Sequence, residues 1–431
     1  MKRIIAIITV LMITALAGCS EKTKNNPPDL SGQHVTNGGL LQSGDSDTSN
    51  GLSADRLPIT GKIVIITNTD RDNKDEFLSA VALVLRFGED YVVHKTWPDW
   101  DTGGVERNIV DLLQGISEDL EVKALILSSS IAGEMFVIDA LNNVRDDIFV
   151  VYTAPLHFRR FDDVDVRADL IIRTDVKRLG ELYVMQAITM GVDTIAHYSY
   201  PRHWARPAFT ERRDSMIAAA EREGIRLVEI DAPDPWGDGY RDASQMFITQ
   251  DLPRQVERLG MNTAFFITDC FMQPLIISQT IAAGAMFVLP CCPSPFHGYP
   301  EAIGIEQEIP TGDNDDYGIP VMRRLELLEL IKAIDEAVDA DGMTDRISSW
   351  AVSDSMMWTT IGFMYTVEWL NGNVPRERGV IDLEVLRRLA MEYTALLGVD
   401  TVVTLDTLTN DGEAIGHYVL GVIDYHVFGR G

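Results

Sequence analysis

Lys62-Ile63-Val64-Ile65-Ile66-Thr67 is a run of β-branched residues without polar alternation, and Asp75 to Phe87 behind it places Phe77, Val81, Val84 and Leu85 on one helical face. A strand that is apolar throughout has to be covered on both faces, so the pair reads as one βα unit of a parallel sheet between helices. The alternation continues outward from it. Tyr91 to Thr96 precedes Val105 to Ile116, Val122 to Leu127 precedes Ala132 to Val144, and Ile148 to Tyr152 with Leu170-Ile171-Ile172 closes a first set.

A second set starts after Asp175. It runs helix Lys177 to Met190, strand Thr194 to Tyr198, helix Phe209 to Glu223, strand Ile225 to Ile230, helix Ala243 to Leu259, strand Thr263 to Ile267, helix Pro274 to Ala283 and strand Met286 to Leu289. The fold class expected is therefore α/β, with two doubly wound parallel-sheet lobes. The stretch left over at the end, from Cys291 to Gly431, points to lobes that exchange segments. Residues 59–175 are assigned to lobe 1 together with part of 291–350, and residues 176–290 to lobe 2 together with part of 351–431.

Two motifs carry a resemblance. Arg173-Thr174-Asp175 with Gly180 is similar to a crossing segment in which a strand ends in Asp and a Gly lets the next helix pack closely. Phe265-Phe266-Ile267-Thr268-Asp269, followed by Gln279-Thr280-Ile281-Ala282-Ala283-Gly284, is similar to a second-lobe strand whose terminal Asp faces a cleft. Both resemble the type 1 periplasmic binding proteins. From about Lys62 to Gly431 the chain resembles an uncharacterised branch of bacterial lipoproteins with that fold. The resemblance implies interdigitated crossovers, a ligand cleft between the lobes, and Asp269 facing it. Pro310 to Asp354 departs from it, being longer and more acidic than a simple third crossover.

The start of the chain bears on location. Lys2 and Arg3 precede an apolar stretch from Ile4 to Leu16, and Leu16-Ala17-Gly18-Cys19 follows. This resembles a bacterial lipobox, which implies removal of residues 1–18 and acylation of Cys19, and so a lipid anchor on the extracytoplasmic face of a cell membrane. Residues 19–58 are rich in Ser, Gly, Asn, Asp, Thr and Pro, too poor in apolar surface to order themselves, and read as a tether spanning roughly 35 Å. Across 431 residues, 37 Lys plus Arg stand against 65 Asp plus Glu, a net charge of −28 that argues against nucleic acid as a partner.

In open parallel sheets, ligands bind beyond the carboxyl ends of the strands. Those ends supply Asn68, Thr69, Asp70 and Asp72, then Trp97, then Ser128 and Ser129, then Thr153 in the first lobe, and Tyr198, Arg202, Trp204, Asp231, Asp269 and Gln273 in the second. Flat rings beside short polar groups suit a small polar metabolite. Other readings stand beside this one. Asp70 and Asp72, with Asp75, also suit the charged start of a helix, and Trp97 also suits packing between lobes. Cys270, Cys291 and Cys292 either form a disulfide between Cys270 and one of the pair or lie buried as small apolar groups. The vicinal pair lacks zinc-type spacing with His297, so neither a metal nor a cofactor is expected.

The function expected is solute binding for an ABC-type transporter. The alternatives are a ligand-sensing subunit of a membrane receptor, or a tethered enzyme using His157 or His203 beside Asp231 or Asp234. A transcriptional regulator of the related repressor fold is disfavoured by the leader and by the lack of an amino-terminal DNA-reading helix pair.

Overall fold

The computed structural model describes residues 61–70, 73–97, 105–128, 141–153, 168–235, 240–305, 320–410 and 412–429. The leader, the tether, Asp72, Ser129, His157 and most of the expected helix Ala132 to Val144 lie outside these residues.

The first lobe begins as read from the sequence, with β1 (Lys62–Thr67), α1 (Lys74–Phe87), β2 (Val92–Thr96), α2 (Val105–Glu118), β3 (Val122–Leu127), β4 (Phe149–Tyr152) and β5 (Leu170–Thr174). The second lobe follows with α3 (Val176–Thr189), β6 (Thr194–Ser199), α4 (Pro201–Trp204), α5 (Pro207–Glu223), β7 (Arg226–Asp231), α6 (Tyr240–Leu259), β8 (Thr263–Ile267), α7 (Gln273–Ala282), α8 (Tyr299–Ala302), α9 (Pro320–Ala340) and β9 (Ser348–Trp350). The chain then returns through α10 (Asp354–Leu370), α11 (Leu383–Leu397), β10 (Val403–Asn410) and β11 (Glu413–Ile423), and ends on β12 (Tyr425–Val427).

Seven strands form the first sheet in the order β10-β11-β5-β4-β3-β1-β2, parallel except for the β10–β11 hairpin. The second sheet is parallel β7-β6-β8. It extends through single parallel bridges Ala264 to Met286 and Phe287 to Ile347 into the antiparallel pair β9–β12. The expected strand Met286 to Leu289 is thus realised as two bridging residues. Every residue of β4, β5, β6 and β8 is buried, which accounts for their unbroken apolar runs.

Within 291–350, Ser348–Trp350 joins the second sheet. Within 351–431, α10, α11, β10 and β11 build the first lobe, and only β12 pairs with the second. The allocation differs from an even exchange because β11 runs parallel beside β5 and closes the open edge of the first sheet. One apolar cluster runs from Ile63 and Ile65 through Trp358 and Ile361 into Phe265 and Ile276, so the lobes share a core. No helix among the described residues is long and apolar enough to cross a membrane.

Gly180 sits where α3 meets α5. A Cβ there would lie 2.4 Å from the Arg212 carbonyl oxygen and 3.0 Å from Ser215 Cβ, and Ser215 Oγ already donates to the Lys177 carbonyl at 2.6 Å. Gly180→Ala should therefore cost about 1–3 kcal/mol through overpacking. Urea unfolding of the soluble domain should show a lower midpoint at an unchanged slope; an unchanged midpoint would mean the helices separate freely.

Candidate functional site

Strand β1 ends at Thr67, and Asn73 caps α1 by accepting from Glu76 N–H at 3.3 Å. The cap turns the first helical residues toward the second lobe. Asp75 Oδ2 accepts from the Ser294 and Ser353 hydroxyls, each at 2.6 Å. Ser294 belongs to the loop after the second-lobe bridging residues, and Ser353 to the crossing that leads into α10. One carboxyl group therefore links a helix start in lobe 1, a loop of lobe 2 and a crossover. Its neighbour Glu76 is buried, accepts from Asn68 Nδ2 at 3.1 Å, and is raised well above the usual carboxyl range by burial.

At the crossover, Thr174 Oγ1 donates to Asp354 Oδ2 at 2.7 Å and accepts from Trp358 Nε1 at 3.1 Å. Burial, reinforced by nearby Cys292, pushes Asp354 from 3.8 up to about 7. Two carboxyl groups whose ionised forms burial disfavours, at the meeting of two lobes, are what a binding or reacting site contains more often than a plain surface does.

On the lobe 2 side, the end of β8 is tied down. Asp269 caps a short 3-10 turn by accepting from Phe271 N–H at 3.0 Å, and it also accepts from Tyr200 Oη at 2.5 Å. Gln273 Nε2 donates to the carbonyls of Ile267 and Asp269 at 3.0 and 2.8 Å, while its Oε1 accepts from Cys291 N–H at 3.4 Å. These bonds draw the Cys291 loop against the β8 turn. As a result Cys270, Cys291, Cys292 and His297 converge, each offering a ligand atom within 4.8 Å of the others. All three cysteines are free thiols. Linear spacing gave no metal set; the fold assembles four donors from two loops, because the spacing that matters is across the β8 edge.

The remaining residues named from sequence fall into groups. Asn68 joins the Glu76 contact, and Thr69 and Trp97 line a hollow of about 740 Å³ on the α2 side of the first sheet, with Asp70 exposed. Ser128 and Thr153 share a buried hydroxyl cluster with Thr359, at 2.9 to 3.5 Å, beneath α10. Tyr198 is buried and donates to Asp251 on α6 at 3.0 Å. Arg202 holds Asp234 by two bonds of 2.8 and 3.1 Å, Trp204 stacks edge-on with His197 and lies under Arg213, and Asp231 is exposed at the end of β7. Asp269 and Gln273 are buried and hold the β8 turn to Tyr200 and to the Cys291 loop within lobe 2. Asp75, Glu76, Ser294, Ser353 and Asp354 were not singled out as ligand contacts, although the acidic start of α1 and the Ser353-Asp354 cap were visible signals.

His203 bears on the catalytic alternative. It is buried, pairs with Thr268 Oγ1 at 2.9 Å, and is pushed down to about 3 by burial and by Arg202.

Two lobes joined by three crossings, with parallel strand ends facing a shared interface, define the class: this is the type 1 periplasmic binding protein-like fold. The chain belongs to the family described as Protein of unknown function (DUF3798), whose model matches residues 62–348. Two uncharacterized proteins of Treponema pallidum (strain Nichols) are each 27% identical to it. One aligns over 192 residues, 44% of this chain and 85% of its own length; the other aligns over 146 residues, 34% and 65%. Among solved structures it is similar to a Clostridium difficile 630 protein described as a transcriptional regulator, with a TM-score of 0.70 at 15% identity, covering 86% of this chain and 100% of that one. A sugar ABC transport substrate-binding protein from Bordetella parapertussis 12822 superposes at a TM-score of 0.47 and 14% identity, over 86% and 91%. At such identities the likeness concerns the fold.

The buried groups set a pH profile. Asp354, raised to about 7, and Glu76, raised in the same direction by burial, contribute stability that is complete below the ordinary carboxyl range and is lost as pH rises through their folded values. His94, His197 and His203, lowered by burial to about 4, 3 and 3, contribute stability present above 6.5 and lost as pH falls toward those values. Asp354→Asn should flatten the decline of the melting temperature between about pH 5 and 8 and leave the acid limb unchanged. An alkaline limb identical to the parent's would show that Asp354 is ionised throughout.

Proposed function

We propose that the protein is an extracytoplasmic solute-binding lipoprotein, anchored through Cys19 and held clear of the membrane by residues 19–58, that closes two lobes on a small polar metabolite for an ABC-type importer. The observation that carries this reading is the Asp75 link to Ser294 and Ser353, which spans both lobes beside the crossings. A contact placed there forms on closure and is lost on opening, so a solute that adds contacts to the closed form shifts the population toward it. Binding is favoured over general base chemistry because burial pushes His203 down to about 3, which makes it a weak base, and its Nδ1 is bonded to Thr268, while Asp234 is already held by Arg202.

The direct test is a melting screen of the chain from about Leu57 against pools of sugars, nucleosides and amino-acid-like compounds. A ligand present at 100 times its Kd stabilises the protein by about 2.7 kcal/mol. Hydrogen bonds to a charged group contribute about 1.5–3 kcal/mol each, so Asp75→Ala should weaken the hit at least tenfold by titration calorimetry. Affinity equal to the parent's would detach this contact from binding, and consumption of the hit on incubation would favour an enzyme. Separately, a radiolabelled fatty acid fed to cells making the full chain should label it, and Cys19→Ala should abolish the label; label surviving that substitution would remove the anchor from the proposal.

A further inference from the structure

A tetrahedral zinc ion lies about 2.3 Å from each thiolate and about 2.0 Å from an imidazole nitrogen. Those lengths place sulfurs about 3.8 Å apart and a sulfur about 3.5 Å from the nitrogen. In this protein Cys270 Sγ is 3.4 Å from Cys291 Sγ and 3.5 Å from Cys292 Sγ, and the latter two are 3.9 Å apart. His297 Nε2 stands 3.7 Å from Cys291 Sγ. Four of the six separations thus lie within a few tenths of an ångström of tetrahedral edges, and the other two, from His297 to Cys270 and to Cys292, are within 4.8 Å. They stand too close together to straddle a cluster of several irons, whose cysteine sulfurs sit on the outside of the metal core.

A second observation comes from the other side of the cluster. Arg212 is buried, lies over the rings of Phe266 and Phe209 at 4.9 and 5.5 Å, and donates from Nη1 to the Cys291 carbonyl at 2.8 Å. Its Nη2 has no hydrogen-bond partner among the described residues. No carboxylate pairs with it among the described salt bridges, and its Nη1 bond goes to the backbone of a cluster residue, Cys291. A buried guanidinium needs a compensating negative charge. Three thiolates and one imidazole around a divalent ion carry one net negative charge, which is the balance Arg212 lacks.

The geometry points to a closed mononuclear site for a thiophilic divalent cation of the zinc type, with Cys270, Cys291, Cys292 and His297 as its four ligands. Binding releases the thiol protons to solvent and changes no oxidation state. Gln273, which accepts from Cys291 N–H, and Arg212, which donates to the Cys291 carbonyl, orient the ligand loop from behind. All four positions are filled by protein, so the ion is structural and pins the β8 turn to the Cys291–His297 loop. This inference does not depend on the solute reading.

The test uses the chain from about Leu57 without a polyhistidine tag, purified under reductant and analysed for metal by inductively coupled plasma mass spectrometry. One zinc per chain is expected. Cobalt exchanged into the site should give the intense visible bands of tetrahedral cobalt and a thiolate charge-transfer band. Cys292→Ser and His297→Gln, at half-buried positions, should each lower zinc affinity at least tenfold in a chelator competition while keeping the circular dichroism of the parent. These two carry the result should Cys291→Ser fail to fold. Reduced protein that takes up less than a tenth of an equivalent from added zinc would overturn the inference. So would the weak spectrum of octahedral cobalt, unchanged affinity in both variants, or peptide mapping that finds a Cys270–Cys291 or Cys270–Cys292 disulfide in the exported protein.

Discussion

The chain passes between the lobes three times, and the backbone pairing of those passes constrains everything around them. Asp175 N–H donates to the Gly421 carbonyl at 2.9 Å, Ala351 N–H to the Asp424 carbonyl at 3.2 Å, and Asp424 N–H to the Val402 carbonyl at 3.0 Å. Buried backbone groups must find partners, and here they find them in one another. Extended segments bonded edge to edge resist separation, so the lobe closure proposed above would have to bend them as a hinge. The start of α10 is pressed against this hinge. A Cβ at Gly421 would lie 2.4 Å from the Trp358 ring, whose Nε1 bonds Thr174. In the proposed closure such bending would reach Ser353, whose hydroxyl bonds Asp75.

Polar groups at the interface divide by how their burial is offset. Asp75 receives two hydroxyl donors. Asp354 receives the Thr174 hydroxyl and the Ser355 N–H and hydroxyl, and Glu76 receives Asn68 Nδ2, yet burial still raises both above the ordinary carboxyl range. By contrast Arg202 and Asp234, both about one-third exposed, form a bidentate pair that solvent screens and that contributes at most about 1 kcal/mol. Glu76 and Asp354 thus carry this burial cost where lobe 1 and the crossings meet, while His197 and His203, pushed down to about 3 by burial, carry it inside the second lobe.

The sheets were legible because burial on both faces writes itself into sequence as unbroken apolar runs, and β1, β3, β5, β6 and β8 fall where those runs predict. Gly180 was legible for a similar reason, since close helix packing tolerates no side chain there. The C-terminal exchange was not, because β11 pairs with β5 between residues 247 apart, Tyr418 with Ile171, and no local pattern records a long-range pairing. The strand-end rule named side chains at the strand ends, and their partners come from elements far away in sequence. Tyr198, still within β6, turns into the α6 packing, whereas Tyr200, just beyond it, reaches Asp269. Ser128 and Thr153 satisfy each other through Thr359, a partner that comes from α10 and that no reading of β3 or β4 alone supplies. Ser294 and Ser353 meet Asp75 from 219 and 278 residues away.

The loop after the second-lobe bridging residues holds two kinds of contact within a few residues. Ser294 faces Asp75, and its Oγ also accepts from Phe296 N–H at 3.0 Å, while Cys291, Cys292 and His297 on either side face Cys270. A flexible segment of that length loses about 1–2 kcal/mol of backbone entropy for each residue it orders. If the loss occurs before closure, the hydroxyl of Ser294 waits at the right place and the Asp75 contact forms at full strength; otherwise closure must order the loop as well. Gln273 and Arg212 supply part of that prior ordering by fixing Cys291 through its N–H and its carbonyl. In the proposed closure, the rigidity of the thiol–imidazole cluster would therefore set how much of the free energy of the Asp75 contacts is left to hold the lobes together.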